Sequence, residues 1–353
     1  MKTRIEYKGQ VLETSYYAEM DDETFLQLQK EYYTKPTKSQ IVNEIATILT
    51  QDGIKNTCIT KNYFKDLMDK VVVYKHRWCI EDVFAYKPLM EKCYGQVLSN
   101  SKLFEPKDGL LANINKCLRI GGGGFARQVA NFPIATMDEI FKKYNVNNNY
   151  YDMSCGWGAR MTASFKNKVN YFGTDPNYEL VERLHQLHND WKEITYTKPQ
   201  VDIRCQGSEY FVPEWENIMG LCFTSPPYFC LEDYKIGDQS YKDGTSYNDW
   251  LNNYLKPTIQ NCYRYLIDKG YFAINIKDFD KFRLEEDTRR IAEECGFVYI
   301  ENMNLKNHTR IKCDGELGDS DENIMVFMKK GFEHLHKPYI EPQQLDIFNF
   351  IEE

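Results

Sequence analysis

Apolar positions along this chain fall into two textures. Up to about residue 120 they recur at helical spacing between polar breaks. From about residue 148 short apolar runs alternate with helical segments. At the start, Arg4–Tyr7 and Val11–Thr14 have the short alternation of strands, and a helix is expected from Asp22. A second helix is expected from Thr37-Lys-Ser-Gln, where Thr37 and Gln40 have capping-box spacing, and it carries Ile41, Ile45 and Leu49 on one face. Residues 55–118 read as mostly helical. No internal repeat or low-complexity block interrupts the chain.

The second half reads as β-α units. Strands are expected at Asn149–Ser154, Asn170–Thr174, Val201–Cys205, Ile218–Phe223, Tyr271–Ile276, Phe297–Glu301 and Asn323–Met328. Helices are expected through Met161 and Phe165, over Asn177–Trp191, over Tyr247–Leu266 and over Leu284–Cys295. Such alternation predicts an α/β fold, a doubly wound and mostly parallel sheet with helices on both faces. Three parts are expected: a mainly helical N-terminal domain over 1–120, the α/β domain over 121–335 and a tail over 336–353.

Composition narrows the class. The 353 residues include 26 Tyr and 20 Phe, suited either to a tyrosine-rich core or to stacking on flat ligands. Eleven cysteines without a C-x-x-C pair argue for reduced thiols and against a disulfide scaffold or structural zinc. No apolar stretch is long enough to span a bilayer. Met1 to Glu6 do not make a signal peptide, so a cytoplasmic location is expected. A net charge of −8 counts against a broadly basic nucleic-acid binder. Locally, Lys55–Arg77 interleaves Lys61, Lys65, Lys75 and Arg77 with aromatic residues. That pattern fits either a phosphate-contacting surface or a solvated helix face.

The chemistry concentrates after the strands. Thr224-Ser225-Pro226-Pro227-Tyr228 follows the fourth strand, and a double proline can neither continue a ladder nor open an ordinary strand-to-helix turn. Ser225 and the Pro226 carbonyl are placed to hold an amino group, and Tyr228, with Phe229 behind it, to stack a flat base. After the first strand comes Asp152-Met-Ser154-Cys-Gly156-Trp-Gly158, whose glycines permit a tight turn at a helix N-terminus. Asp175 ends the second strand, where a carboxylate can accept ribose hydroxyls or cap the next helix. Ser208 and Glu209 follow the third strand and are candidates for an adenine edge.

Together these segments resemble the class I S-adenosylmethionine-dependent methyltransferases. More closely, residues 120–330 resemble the DNA amino-methyltransferases that modify cytosine N4 or adenine N6, whose motif [Asp/Asn/Ser]-Pro-Pro-[Tyr/Phe] is matched by Ser225–Tyr228. The resemblance implies a Rossmann-like domain, S-adenosylmethionine as cofactor and DNA as partner. Ser225, Pro226, Pro227 and Tyr228 would be catalytic. Asp152, Ser154, Gly156, Gly158, Asp175, Ser208, Glu209, Phe132 and Thr224 would lie about the cofactor, with Phe132 and Pro133 over its methionine end. Lys61, Lys65, Lys75, Arg77 and Phe229 would touch DNA. A serine at the first motif position leans toward cytosine N4. Direct transfer to an amine held by Ser225 and the Pro226 carbonyl needs no covalent intermediate, and the base must leave the duplex to reach it. A carbon-5 cytosine enzyme needs a Pro-Cys nucleophile, which the chain lacks.

The loop departs from the family's usual Phe-x-Gly-x-Gly: Cys155 precedes the glycines and Trp157 separates them. RNA and protein-glutamine methyltransferases share a similar double-proline motif. A non-catalytic DNA- or clamp-associated protein with a degenerate fold is the further alternative. Gly121–Gly124 lacks the Lys-Ser/Thr of a P-loop. Gln239, Ser240, Tyr247 and Trp250 are candidates for the base pocket. Asn275, Lys277 and Asp278, ending the fifth strand, are candidates for contact with the target or the DNA backbone. In the tail, Gln344, Leu345, Ile347 and Phe348 resemble the peptide by which bacterial DNA enzymes bind the sliding clamp, a tether that would offset the acidic charge. Recognition sequence, a restriction-modification role and oligomeric state stay open.

Overall fold

The computed structural model describes residues 2–54, 58–120, 124–146, 148–197, 199–235, 238–304, 310–311, 317–318 and 323–331. The expected clamp peptide lies outside these residues.

Seven strands form the central sheet: β1 (Asn149–Asp152), β2 (Asn170–Thr174), β3 (Val201–Arg204), β4 (Met219–Thr224), β5 (Leu266–Asn275), β6 (Phe297–Asn304) and β7 (Asn323–Lys329). Their spatial order is β3-β2-β1-β4-β5-β7-β6. Pairs among β1 to β5 are parallel, and β7 runs antiparallel to both β5 and β6. This is the doubly wound, mostly parallel α/β sheet expected from the sequence. The chain winds outward from β1 to β3, then returns to the other side of β1. The order therefore reverses between β1 and β4, and the carboxyl ends of those two strands diverge into a crevice of the kind that binds ligands in open α/β sheets.

Among the described residues, nine α-helices precede residue 200: α1 (Asp22–Tyr33), α2 (Lys38–Thr50), α3 (Cys58–Met68), α4 (Ile80–Ala85), α5 (Lys87–Ser99), α6 (Leu110–Arg119), α7 (Ile134–Lys143), α8 (Ala159–Lys166) and α9 (Tyr178–Thr195). The capping box of α2 forms as expected. Gln40 N–H donates to Thr37 Oγ1 at 3.3 Å, and Thr37 N–H donates to Gln40 Oε1 at 2.8 Å. Residues 247–265 are helical throughout, with a π-helical stretch at Leu251–Leu255. No helix among the described residues is long and apolar enough to cross a membrane.

Alternating strand residues feed two cores. Tyr150, Tyr171, Leu221 and Phe223 face one side, and Tyr151, Phe172, Cys222 and Ile274 the other, where Trp250, Ile259, Tyr265, Leu284 and Ile291 cover them. The first side is covered by α7, α8 and α9, and also by Ile45 and Ile48 of α2 and Tyr63, Phe64 and Leu67 of α3. The boundary expected at residue 120 therefore does not separate two cores, because α2 and α3 belong to the layer over the sheet. A distinct cluster joins Ile5, Met20, Leu28 and Tyr32 to Trp78, Phe84, Leu89, Met90, Ile114 and Phe125.

The close approach is visible at Gly158, which has φ of 75°. A Cβ there would lie 2.8 Å from Phe64 Cε2 and 3.1 Å from Leu187 Cδ2. Phe64 is fully buried, so Phe64→Ala is expected to destabilise the α/β unit itself, by about 3–5 kcal/mol in urea unfolding. A loss below about 1 kcal/mol would place α3 outside the cooperative core.

Candidate active site

Asp152 at the end of β1 is fully buried and is the hub of the site. Its Oδ2 accepts from Arg160 Nε of α8 at 2.8 Å and from the Tyr171 hydroxyl of β2 at 3.0 Å. Its Oδ1 accepts from Thr224 Oγ1 at 2.9 Å. Arg160 also donates to the Ser154 carbonyl, which binds the turn to its own helix. Asp152 and Thr224 were expected at the cofactor. Both side chains are fully buried and do not line the cleft, and their hydrogen bond joins the end of β1 to the end of β4, just before the serine–diproline segment.

Above that brace lies a cleft of about 1560 Å³. On the β1–β3 side it is lined by Ser154, Gly156, Asp175, Ser208 and Glu209, all expected there. Gly158 forms the helix N-cap in a left-handed conformation, and Gly156 (φ of 58°) lies where a Cβ would come within 3.0 Å of Arg160. Asp175 keeps one face open to the cleft and is otherwise enclosed. Desolvation raises its carboxyl to about 7, against the N–H groups of Asn177 and Gly156 that favour the charge. Burial also raises Glu209, whose Oε2 is buried with no hydrogen-bond partner among the described residues. An unpaired acceptor of that kind costs about 1–3 kcal/mol unless a water or a ligand donates to it.

Ser208 Oγ lies 2.8 Å from Thr258 Oγ1. The Tyr254 hydroxyl lies 3.4 Å from Ser154 Oγ and forms the floor between the two loops. Tyr254 was missed in the sequence, where its helix reads as regular core. The π-helical stretch changes the register that helical periodicity assumes, and no sequence signal marks it.

On the β4–β5 side the cleft is lined by Ser225, Pro226, Pro227, Tyr228 and Asn275. The Tyr228 hydroxyl donates to the Asn275 carbonyl at 2.9 Å, fixing the ring across the mouth of the β4 turn. Phe132 also lines the cleft, its ring 5.2 Å from that of Phe223. Gln239 and Ser240 reach the same cleft. Trp250 is core, its Nε1 donating to Ser240 Oγ at 3.2 Å.

The residues expected to touch DNA divide. Lys61 is exposed at the rim of the cleft. Lys65 lines it too, but its ammonium pairs with buried Asp69 at 2.9 Å over the ring of Tyr32, so it serves an internal charge. Lys75 pairs with Asp280 at 3.5 Å and Arg77 is exposed, and neither lines the cleft. Phe229 is buried among Tyr241, Tyr247, Trp250 and Phe282, because its left-handed backbone (φ of 51°) turns it inward behind Tyr228. Residues 72–73 pair with 232–233, tying the N-terminal segment to the loop after the motif. Among the described residues no cluster of His, Cys, Asp or Glu is arranged to hold a metal.

Residues 219–349 match the family model described as DNA methylase, of the N6/N4 methyltransferases. The matched part includes Ser225–Tyr228 and is similar to that family. No curated protein matches the chain. Solved structures similar to it include the [4+2]-cyclase SpnF, at 11% identity over 57% of this chain and 83% of that one, with a TM-score of 0.40. Another is the 1,6-didemethyltoxoflavin-N1-methyltransferase of Burkholderia thailandensis, at 9% identity over 56% and 78%, TM-score 0.38. A third is an S-adenosylmethionine-dependent methyltransferase of Clostridium acetobutylicum, at 12% identity over 56% and 91%, TM-score 0.37. Likeness of this degree says nothing about substrate.

Asp175 generates a pH prediction. A carboxylate accepts both hydroxyls of a ribose and a carboxylic acid does not, so cofactor affinity is expected to fall as pH drops through about 7, with proton release on binding near that pH. The sign for stability is opposite. A folded-state carboxyl raised above its unfolded value of 3.8 penalises the fold progressively as pH rises from about 4 to 7. Asp175→Asn should therefore raise the melting temperature at pH 8 while weakening cofactor binding and flattening its pH profile. Calorimetry between pH 6 and 8 with an unchanged slope in the variant would remove Asp175 from the binding step.

Proposed function

We propose that the chain transfers a methyl group from S-adenosylmethionine to the exocyclic amine of a DNA base turned out of the duplex, with cytosine N4 slightly favoured over adenine N6. One observation carries this reading: the glycine turn after β1 and Ser225–Tyr228 after β4 open into a single cleft whose halves carry different chemistry. The β1–β3 half offers Asp175 to sugar hydroxyls, the unpartnered Glu209 oxygen to an amino group, and the Gly156–Gly158 turn to a close-lying chain. Bound there, S-adenosylmethionine supplies an electrophilic methyl on sulfur. The other half offers the Ser225 oxygen as an acceptor for an amine hydrogen and the Tyr228 ring as a stacking surface. Stacking is worth roughly 1–3 kcal/mol per base. The cleft exceeds the ~300–1,000 Å³ of a site for one small ligand, which suits a cofactor and a base together.

Catalysis then rests on placement. An aromatic amine has its lone pair drawn into the ring. Hydrogen bonds from its N–H groups to Ser225 Oγ and the Pro226 carbonyl favour the pyramidal nitrogen that attacks. The outer wall carries Lys35, Lys61 and Arg119, all exposed and without an ion pair among the described residues. They suit the phosphates that flank an extruded base, and the N-terminal part of the chain takes that DNA-contacting role. The tail peptide Gln344–Phe348 tethers the acidic chain to a sliding clamp, and its deletion removes co-elution with the clamp.

Incubation with methyl-labelled cofactor and genomic DNA, then digestion to nucleosides, should place the label on N4-methylcytosine or N6-methyladenine. Ser225→Ala should abolish it while leaving cofactor affinity intact. Label appearing only on RNA or protein would reject DNA as substrate. Replacing Lys61 and Arg119 by Ala should weaken DNA binding across sequences and lower the salt slope by roughly 1–2; an unchanged slope would move the phosphate contacts elsewhere.

A further inference from the structure

We propose that Asn275 is a positioning residue that fixes the polarity of the Ser225 hydroxyl, by closing a one-way ring of hydrogen bonds through Ser225 and Tyr228. The inference rests on the amine-methylation reading above. Register places Asn275 level with the motif, since Thr224 pairs with Ile274 and each chain then continues by one residue. Asn275 Nδ2 donates to Ser225 Oγ at 3.2 Å. The Tyr228 hydroxyl donates to the Asn275 carbonyl at 2.9 Å. The oxygens of Ser225 and Tyr228 are 3.4 Å apart, a long link of the kind that tightens when a site is filled.

Each hydroxyl has one proton to give. A carbonyl only accepts, so the Tyr228 proton is committed to Asn275. The Tyr228 oxygen is therefore the acceptor toward Ser225, and the Ser225 proton points at Tyr228. Ser225 Oγ uses one lone pair on the Asn275 amide and keeps one for the cleft. That remaining lone pair is what an amine N–H requires.

The need for such a ring follows from serine itself. A carboxylate or amide oxygen at the first motif position carries no proton and accepts in any orientation. A hydroxyl also donates, and one free to rotate can aim its proton at the target nitrogen and occupy the lone pair that must attack. Asn275 removes that option. Its own burial supports the assignment. The side chain is 3% exposed and Oδ1 has no partner among the described residues, so an apolar residue would suit the strand end better for stability alone.

The test is steady-state methylation of DNA by the full chain with Asn275→Ala, with Tyr228→Phe, which keeps the stacking ring and breaks a different link, and with both changes. Each single change should lower kcat by about 10- to 100-fold, with little change in KM for DNA, in cofactor Kd or in Tm. The double variant should match the worse single one, because a ring broken once is already open. Multiplying losses, a loss confined to KM, or an Asn275→Ala enzyme with unchanged kcat would overturn the inference. If the unmodified chain labels no amine on any acceptor, the function proposed above falls with it. If it labels DNA and Asn275→Ala does so equally fast, only the role of Asn275 falls.

Discussion

The geometry of the cleft depends on one buried carboxylate. Asp152 ends β1 beneath the cleft floor and receives hydrogen bonds from α8, from β2 and from the last residue of β4. The switch point of the sheet opens a gap between β1 and β4, and nothing in the ladder fixes how the loops above that gap are set relative to each other. The Thr224–Asp152–Arg160 chain supplies that constraint from below. A buried ion pair of this sort gives little net stability, since desolvation offsets most of its attraction, while removing one partner is expensive at about 3–5 kcal/mol. Its contribution is therefore to geometry: the two loops share one reference point.

The second constraint comes from outside the sheet. Helices α2 and α3 pack into the core over one face, and Phe64 rests where a side chain on Gly158 would have to sit. The N-terminal segment is thus a structural wall of the site as well as a candidate contact for a polymer. The strand pair 72–73 with 232–233 closes the same arrangement from the other end, linking that segment to the loop after Tyr228. The cleft is wide because several separate stretches of chain build it, and Lys35, Lys61 and Arg119 stand exposed along its wall.

Much of this was legible in the sequence. The order of strands and helices from residue 149 onward followed from periodicity, and the ends of β1, β2, β3 and β4 carried the residues that line the cleft. Asp152 and Thr224 were read at the right place in the chain, and packing buries both side chains away from the cleft lining. A sequence shows that a polar residue ends a strand, and only packing shows that its side chain turns under the loop. Lys65 and Phe229 failed for related reasons. A lysine in a basic stretch looks solvated until a buried aspartate four residues on claims it, and an aromatic beside a catalytic motif looks available until the backbone turns it into a cluster of four other rings. The place of α3 in the sheet's core was invisible because helical amphipathicity states that a face is buried without naming its partner.

The nature of the nucleophile is the last step. Methyl transfer can proceed through an enzyme thiolate or directly to the acceptor. Cys155, within the glycine turn, is fully buried against the Thr174 carbonyl, and desolvation raises its thiol far above the usual range. Cys230, two residues beyond Tyr228, is also raised by burial, and neither residue lines the cleft. A thiol held protonated is a poor nucleophile. What lines the cleft at Ser225, Tyr228 and Asn275 is instead a set of oxygens and an amide, groups that accept, donate and orient. Such a set activates a nitrogen that arrives with its own lone pair and has little to offer a carbon that must first be attacked. The amine methylation proposed above matches these groups, since there the attacking atom comes from the acceptor and no enzyme thiolate is required.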